Sequence, residues 1–176
     1  MEIVRKDILA ERRRLIEPPH PNQPIDGMGV IRFNVNGHGN IDLMLTKVKE
    51  VLLIVSRYSI DSNWPTELEW RAILPAWFVN SCAPPMSDAE AQKWLQWWRG
   101  LSARDQELAE INNKWNLANW LYWMEPTNRQ WFWWAARPTS NHDLIIAVEV
   151  RDWPFPWGAL RWLFITSGAH DVVPEK

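Results

Sequence analysis

A chain of 176 residues with a formal net charge of −2 has the size of one domain and can bury about 70% of its unfolded surface without staples. Its one cysteine, Cys82, excludes an intramolecular disulfide and a cysteine-clustered metal site. The balance of charge offers no general attraction to nucleic acid.

Charges interrupt the apolar residues of 1–19, so no signal-peptide core is visible there. The longest apolar run, Val51 to Val55, falls far short of the ~20 residues of a membrane span. A cytoplasmic location with neither nucleic acid nor membrane as partner is expected.

The first element is an amphipathic helix over 3–16, with Ile3, Ile8, Leu9, Leu15 and Ile16 among charges. Arg12, Arg13 and Arg14 form the one basic cluster and read as a solvated helix face. PPHPNQP then forms an extended linker. Residues 1–27 are therefore an arm that docks on the domain or frays. Residues 28–176 form a single globular domain.

Gly29 to Val35 alternates as a half-buried strand, with Ile31, Phe33 and Val35 inward. NGHGN at 36–40 is a turn. Residues 42–58 carry a helical stripe capped by Asp42, although the run VLLIV would also suit a strand. Pro65 starts a helix reaching about Ile73, and Pro75 opens another turn. Ser87 and Glu90 form a capping box for a helix that runs to Arg99 and stops at Gly100.

In that helix Ala91, Trp94, Leu95 and Trp98 form the buried face, and Trp97 lies off it. Leu108, Ile111 and Trp115 make the inner face of the next helix. Asn116 caps a short helix striped by Leu117, Trp120, Leu121 and Met124, with Trp123 to one side. Strands follow at 131–137 and 144–150, the second with Leu144, Ile146, Val148 and Val150 on one face. Pro156 starts a last helix, GALRWLFITS, that Gly168 ends. The fold class is α+β: mostly helical, with a small antiparallel sheet and a C-terminal helix.

Catalytic chemistry is thin. His20, His38, His142 and His170 sit in loops or near the terminus, without metal-ligand spacing. Cys82 reads as an inert structural thiol. Acids pair only on helix surfaces, and there is no phosphate-binding glycine loop. No cofactor and no metal are expected.

All fifteen tryptophans lie between Trp64 and Trp162, a strong excess. An aromatic core accounts for at least half. A sugar-stacking platform suits this helix-rich chain poorly. A protein interface suits it better, because exposed Trp beside Arg is hot-spot composition. The candidate partner-binding residues are Trp97, Trp131, Trp133, Trp134, Trp153, Trp157 and Arg151. WFWW is apolar on both faces, and the last helix can cover one face through Leu160, Leu163 and Phe164. At least one ring among Trp131, Trp133 and Trp134 should then be exposed near Trp153 or Trp157. The alternative is a small enzyme or ligand-binding domain with a site built from His38, His142, Asp143 and Arg151.

Three stretches, LPAWFVNSCAP (74–84), WLYWMEPTNRQWFWW (120–134) and WPFPWGALRWLFITSGA (153–169), resemble segments of small bacterial proteins, some of them immunity proteins of polymorphic toxin systems. The resemblance covers about half the chain. It implies a cytoplasmic, non-enzymatic protein that binds another protein, a cognate toxin.

Overall fold

The computed structural model describes residues 2–20, 22–60, 63–112 and 114–175. Its elements run α1 (Glu2–Ile16), β1 (Gly29–Gly37), α2 (Ile41–Ile60), α3 (Glu67–Ile73), α4 (Ala76–Ser81), α5 (Asp88–Arg99), α6 (Ala103–Asn112), α7 (Leu117–Met124), β2 (Trp131–Pro138), β3 (Asp143–Val150), α8 (Gly158–Ser167) and β4 (Ala169–Pro174). The strands form one antiparallel sheet in the order β2-β3-β1-β4. The α+β reading holds.

Local signals placed most boundaries. Ser87 Oγ accepts from the Glu90 N–H, and the Glu90 carboxylate accepts from the Ser87 N–H at 2.8 Å. The same reciprocal cap joins Thr66 and Glu69 at the start of α3. These hydrogen bonds hold both glutamate carboxyls below their usual range. The residues 42–58 are helical, but Asn40 caps them instead of Asp42, accepting from the Asp42 and Leu43 N–H groups. Gly168 ends α8 at φ 119°, a left-handed conformation that favours glycine.

The register sets the core. Ile31, Phe33 and Val35 lie opposite Val148, Ile146 and Leu144. Trp131 and Trp133 lie opposite Val150 and Val148 on the same face. That face joins one hydrophobic core with Val48, Val51, Leu52 and Val55 of α2 and with Leu160, Leu163 and Phe164 of α8. Trp133 stacks on Phe164 with ring centroids 6.4 Å apart. β4 was not anticipated. Only its pairing with β1 makes AHDVVP a strand, and six residues show too little alternation to stand out.

The second correction concerns α1. Arg14 is not on a solvated face: it is buried, as are Glu11, Arg129 and Glu149. β2 is an edge strand, and the pairing steps over Trp134 in a bulge. Glu11 accepts from the Trp133 N–H at 2.7 Å, and Arg14 Nε donates to the Trp133 carbonyl at 2.9 Å. Glu11 also takes both terminal nitrogens of Arg129. Arg14 pairs with Glu149 at 2.8 Å, whose other oxygen accepts from the Asp26 and Gly27 N–H groups.

The helix thus closes an edge that would otherwise present unpaired backbone groups. The linker is pinned to the same carboxylate. Each buried ion has a counter-ion, the condition under which charge is tolerated inside.

A third correction concerns α5 and α6. The phase assigned to α5 holds in that Trp97 is 53% exposed while Trp94 and Trp98 are half-buried. But no residue of α5 is buried, and Leu95 is itself exposed. The two helices pack mainly on each other. They project from a neck where the Ala83 N–H donates to the Trp115 carbonyl at 2.9 Å. Leu108, expected inside, is exposed; Ile111 lies outside the described side chains. A helical stripe becomes a core only where another element covers it, and nothing described covers this one.

Candidate functional site

The tryptophans divide unevenly. Five are buried, eight half-buried and two exposed, so the surplus sits at the boundary of the core instead of inside it. The β2 rings are not exposed as expected. Trp131 and Trp133 are buried, and Trp134 is half-buried beneath the Arg14 guanidinium, 4.5 Å from its ring centre. The reason is the docking of α1, which supplies the cover that the short last helix could not. Trp153 is 58% exposed, tilted against Phe155 with ring centroids 5.9 Å apart, and Trp157 is half-buried against Phe33.

The alternative site does not assemble as a whole. His38, His142 and Asp143 lie at one end of the sheet, where the Gly37 N–H donates to the His142 carbonyl at 2.7 Å and Asn36 pairs with Asp143, whereas Arg151 follows the opposite end of β3. His38 lies against His170 with ring centroids 4.6 Å apart. Asp143 accepts from Asn36 and Ser140, which hold its carboxyl below the usual range. Arg151 pairs with Asp7 of α1 and lies over the Phe132 ring. Among the described residues no group of three or more His, Cys, Asp or Glu could hold a metal ion. No helix of those residues is long and apolar enough to cross a membrane.

What the fold does assemble is an open cleft of about 490 Å³ between α5, α7, α8 and the turn before α8. Trp94, Trp115, Trp123, Trp157 and Trp162 line it with Phe155 and Met86. A third of the chain's tryptophans therefore face one concavity. Spacing explains the polar part. Asn116 and Asn119 straddle the first turn of α7 and Trp123 follows one turn later, so the three share a side of that helix. Gly158, Arg161 and Trp162 do the same on α8. Lys114, next to the neck, completes the rim.

Gly158 is a packing requirement. A Cβ there would stand 2.6 Å from Cζ2 of Trp115, so only glycine lets that ring lie on the start of α8. Trp162 is a buried wall of the cleft. Behind it, burial pushes the Cys82 thiol up, and the Trp162 and Arg71 side chains offset part of that rise. Native labelling of Cys82 by a maleimide at pH 8 should therefore be slow and accelerate sharply on unfolding. Labelling as fast as that of a free thiol would show an accessible thiolate.

Of the residues named from sequence, the cleft takes only Trp157. Trp94 and Trp115 were assigned to helix cores, and Lys114 carried no signal. The displacement of Trp123 from its helical stripe was the one sequence clue to this surface. Among the described residues the cleft lining holds no carboxylate, imidazole, thiol or hydroxyl side chain. Its chemistry is that of contact: planar apolar walls, two amides and two cations. No protein-family model, no curated protein and no solved structure matches the chain.

Proposed function

We propose that this chain is a non-enzymatic protein-binding domain that holds an apolar anchor of its partner in the cleft between α5, α7 and α8. The observation that carries the reading is the convergence of five tryptophans on that cleft. Buried aromatic anchors ringed by polar groups are the usual composition of an energetic centre in an interface. Trp97 and Leu95 on α5 and Trp153 beyond Phe155 are exposed, and extend apolar surface past what a small ligand would need.

A cognate toxin is the partner that the sequence resemblance supports, and a bacterial cytoplasmic setting goes with it. Trp123, Phe155, Trp157, Gly158, Arg161 and Trp162 all fall within the resembling stretches. A second reading, a ligand-binding domain, draws on the cleft's size, since about 300–1,000 Å³ is usual for small-molecule sites.

Selection of a phage-displayed random peptide library on the full chain tests the first reading. Binders should emerge that lose about 30-fold or more in affinity on Trp123→Ala, the scale of a hot-spot truncation. Circular dichroism should show that variant folded, because the ring is only half-buried. Binders that keep full affinity for Trp123→Ala, or no binders at all, would remove the reading.

A further inference from the structure

We infer that the cleft selects an acidic segment of a protein partner, with a carboxylate at the Lys114–Arg161 rim beside an aromatic or aliphatic anchor between the tryptophan walls. This rests on the binding-domain reading and adds the chemistry of the occupant.

The chain as a whole carries more acids than bases, 21 against 19. Among the described residues the cleft lining inverts that balance: it includes Lys114 and Arg161 and no carboxylate. Aromatic cages also hold cations, but a cation would meet the exposed Lys114 ammonium here, which opposes binding. The backbone adds to the same sign. α7 begins beside Asn116 and α8 at Gly158, both in the lining, so the positive ends of two helix dipoles reach the cleft. Trp157 gives α8 no side-chain cap, which leaves the first N–H groups of that helix without a partner from its N-cap residue.

Arg161 lies 3.7 Å from Asp171, a carboxylate left 46% exposed on its outer side. Arg161 thus keeps a partner of its own, and the incoming charge is read chiefly by exposed Lys114. Aromatic walls exclude water around that contact and strengthen it relative to one on an open surface.

A protein segment is favoured over a free organic anion because the apolar surface continues beyond the cleft. Trp97, 53% exposed, lies against the Trp94 ring of the cleft with ring centroids 6.4 Å apart. A segment several residues long can use both the cleft and this shoulder.

The test compares peptides selected from the random library on the full chain with their Asp→Asn and Glu→Gln counterparts, by fluorescence anisotropy at low and high salt. Selected sequences should place an acid within a few residues of an aromatic or aliphatic anchor. Neutralising that acid, or making Lys114→Glu in the protein, should each weaken binding about tenfold or more at low salt and less at high salt. Arg137→Glu, an exposed base outside the cleft, should have little effect.

Peptides that need the Trp123 ring but tolerate both charge changes would overturn the acidic assignment and leave the binding reading intact. Binding insensitive to Trp123→Ala would overturn the reading itself. Benzoate that binds as tightly as the selected peptides would replace the protein segment by a small anion and overturn the proposal.

Discussion

Arg129→Met should destabilise the protein by about 3–5 kcal/mol, the cost of leaving a buried counter-charge alone. Arg129 is 1% exposed and its partner Glu11 is fully buried. Burial pulls the Arg129 pKa down, and the Glu11 charge and hydrogen bonds hold it up. Without the guanidinium, the Glu11 carboxylate keeps the Trp133 N–H as its only hydrogen-bond donor in the described structure.

The pairing is testable by a double substitution. Glu11→Gln with Arg129→Met removes both charges yet leaves an amide oxygen for the Trp133 N–H. It should recover about 2 kcal/mol or more of the single-variant loss, since replacing a whole buried pair is much less costly than breaking it. Urea unfolding midpoints at constant m-value provide the measure. A double variant no more stable than Arg129→Met would show that the two side chains do not act as a pair. Because Glu11 sits on α1 and Arg129 just before β2, the experiment also reads how firmly the N-terminal helix seals the sheet edge.

The second large effect separates structural from surface tryptophans. Trp120→Ala should cost about 3–5 kcal/mol, whereas Trp97→Ala should stay within about 1 kcal/mol. Trp120 is fully buried, packs on Phe78 at 4.6 Å between centroids, and donates its indole N–H to the Ala159 carbonyl at 3.0 Å. Truncation there leaves a cavity beneath the cleft wall and removes the indole's hydrogen bond to that carbonyl. Trp97 is half in solvent on a helix with no buried residue, so its removal leaves no hole. Thermal unfolding of the two variants decides the matter. A loss above about 2 kcal/mol for Trp97→Ala would mean that α5 is packed far more tightly than its exposure indicates.

These two experiments bear on what kind of excess the fifteen tryptophans represent. Trp70, Trp120, Trp131 and Trp133 are almost wholly inside and carry fold stability. The rings around the cleft are mostly half-buried. They can be shared between a wall of the protein and the surface of a partner.

The sequence by itself determined the local events. The Ser87–Glu90 box, Asn116 as a cap, Gly168 as a stop and the alternation of β1 and β3 all appear where their residues place them. Each depends on contacts within a few positions along the chain, so a short window contains the whole cause. It also fixed the class of the fold, because periods of 3.6 and 2 residues differ wherever the run is long enough.

The tertiary structure decided everything that depends on which surfaces meet. Glu11 and Arg14 look like solvent residues until an edge strand more than a hundred positions away offers its Trp133 backbone to them. Leu95 and Leu108 look like core residues, but the hairpin carrying them stands away from the core. β4 exists because β1 has a free side. The cleft gathers α5, α7, α8 and the turn at 155–157, parts whose proximity no periodicity encodes. A hydrophobic pattern states that a side chain will be covered if a neighbour arrives, and only the folded chain supplies or withholds that neighbour.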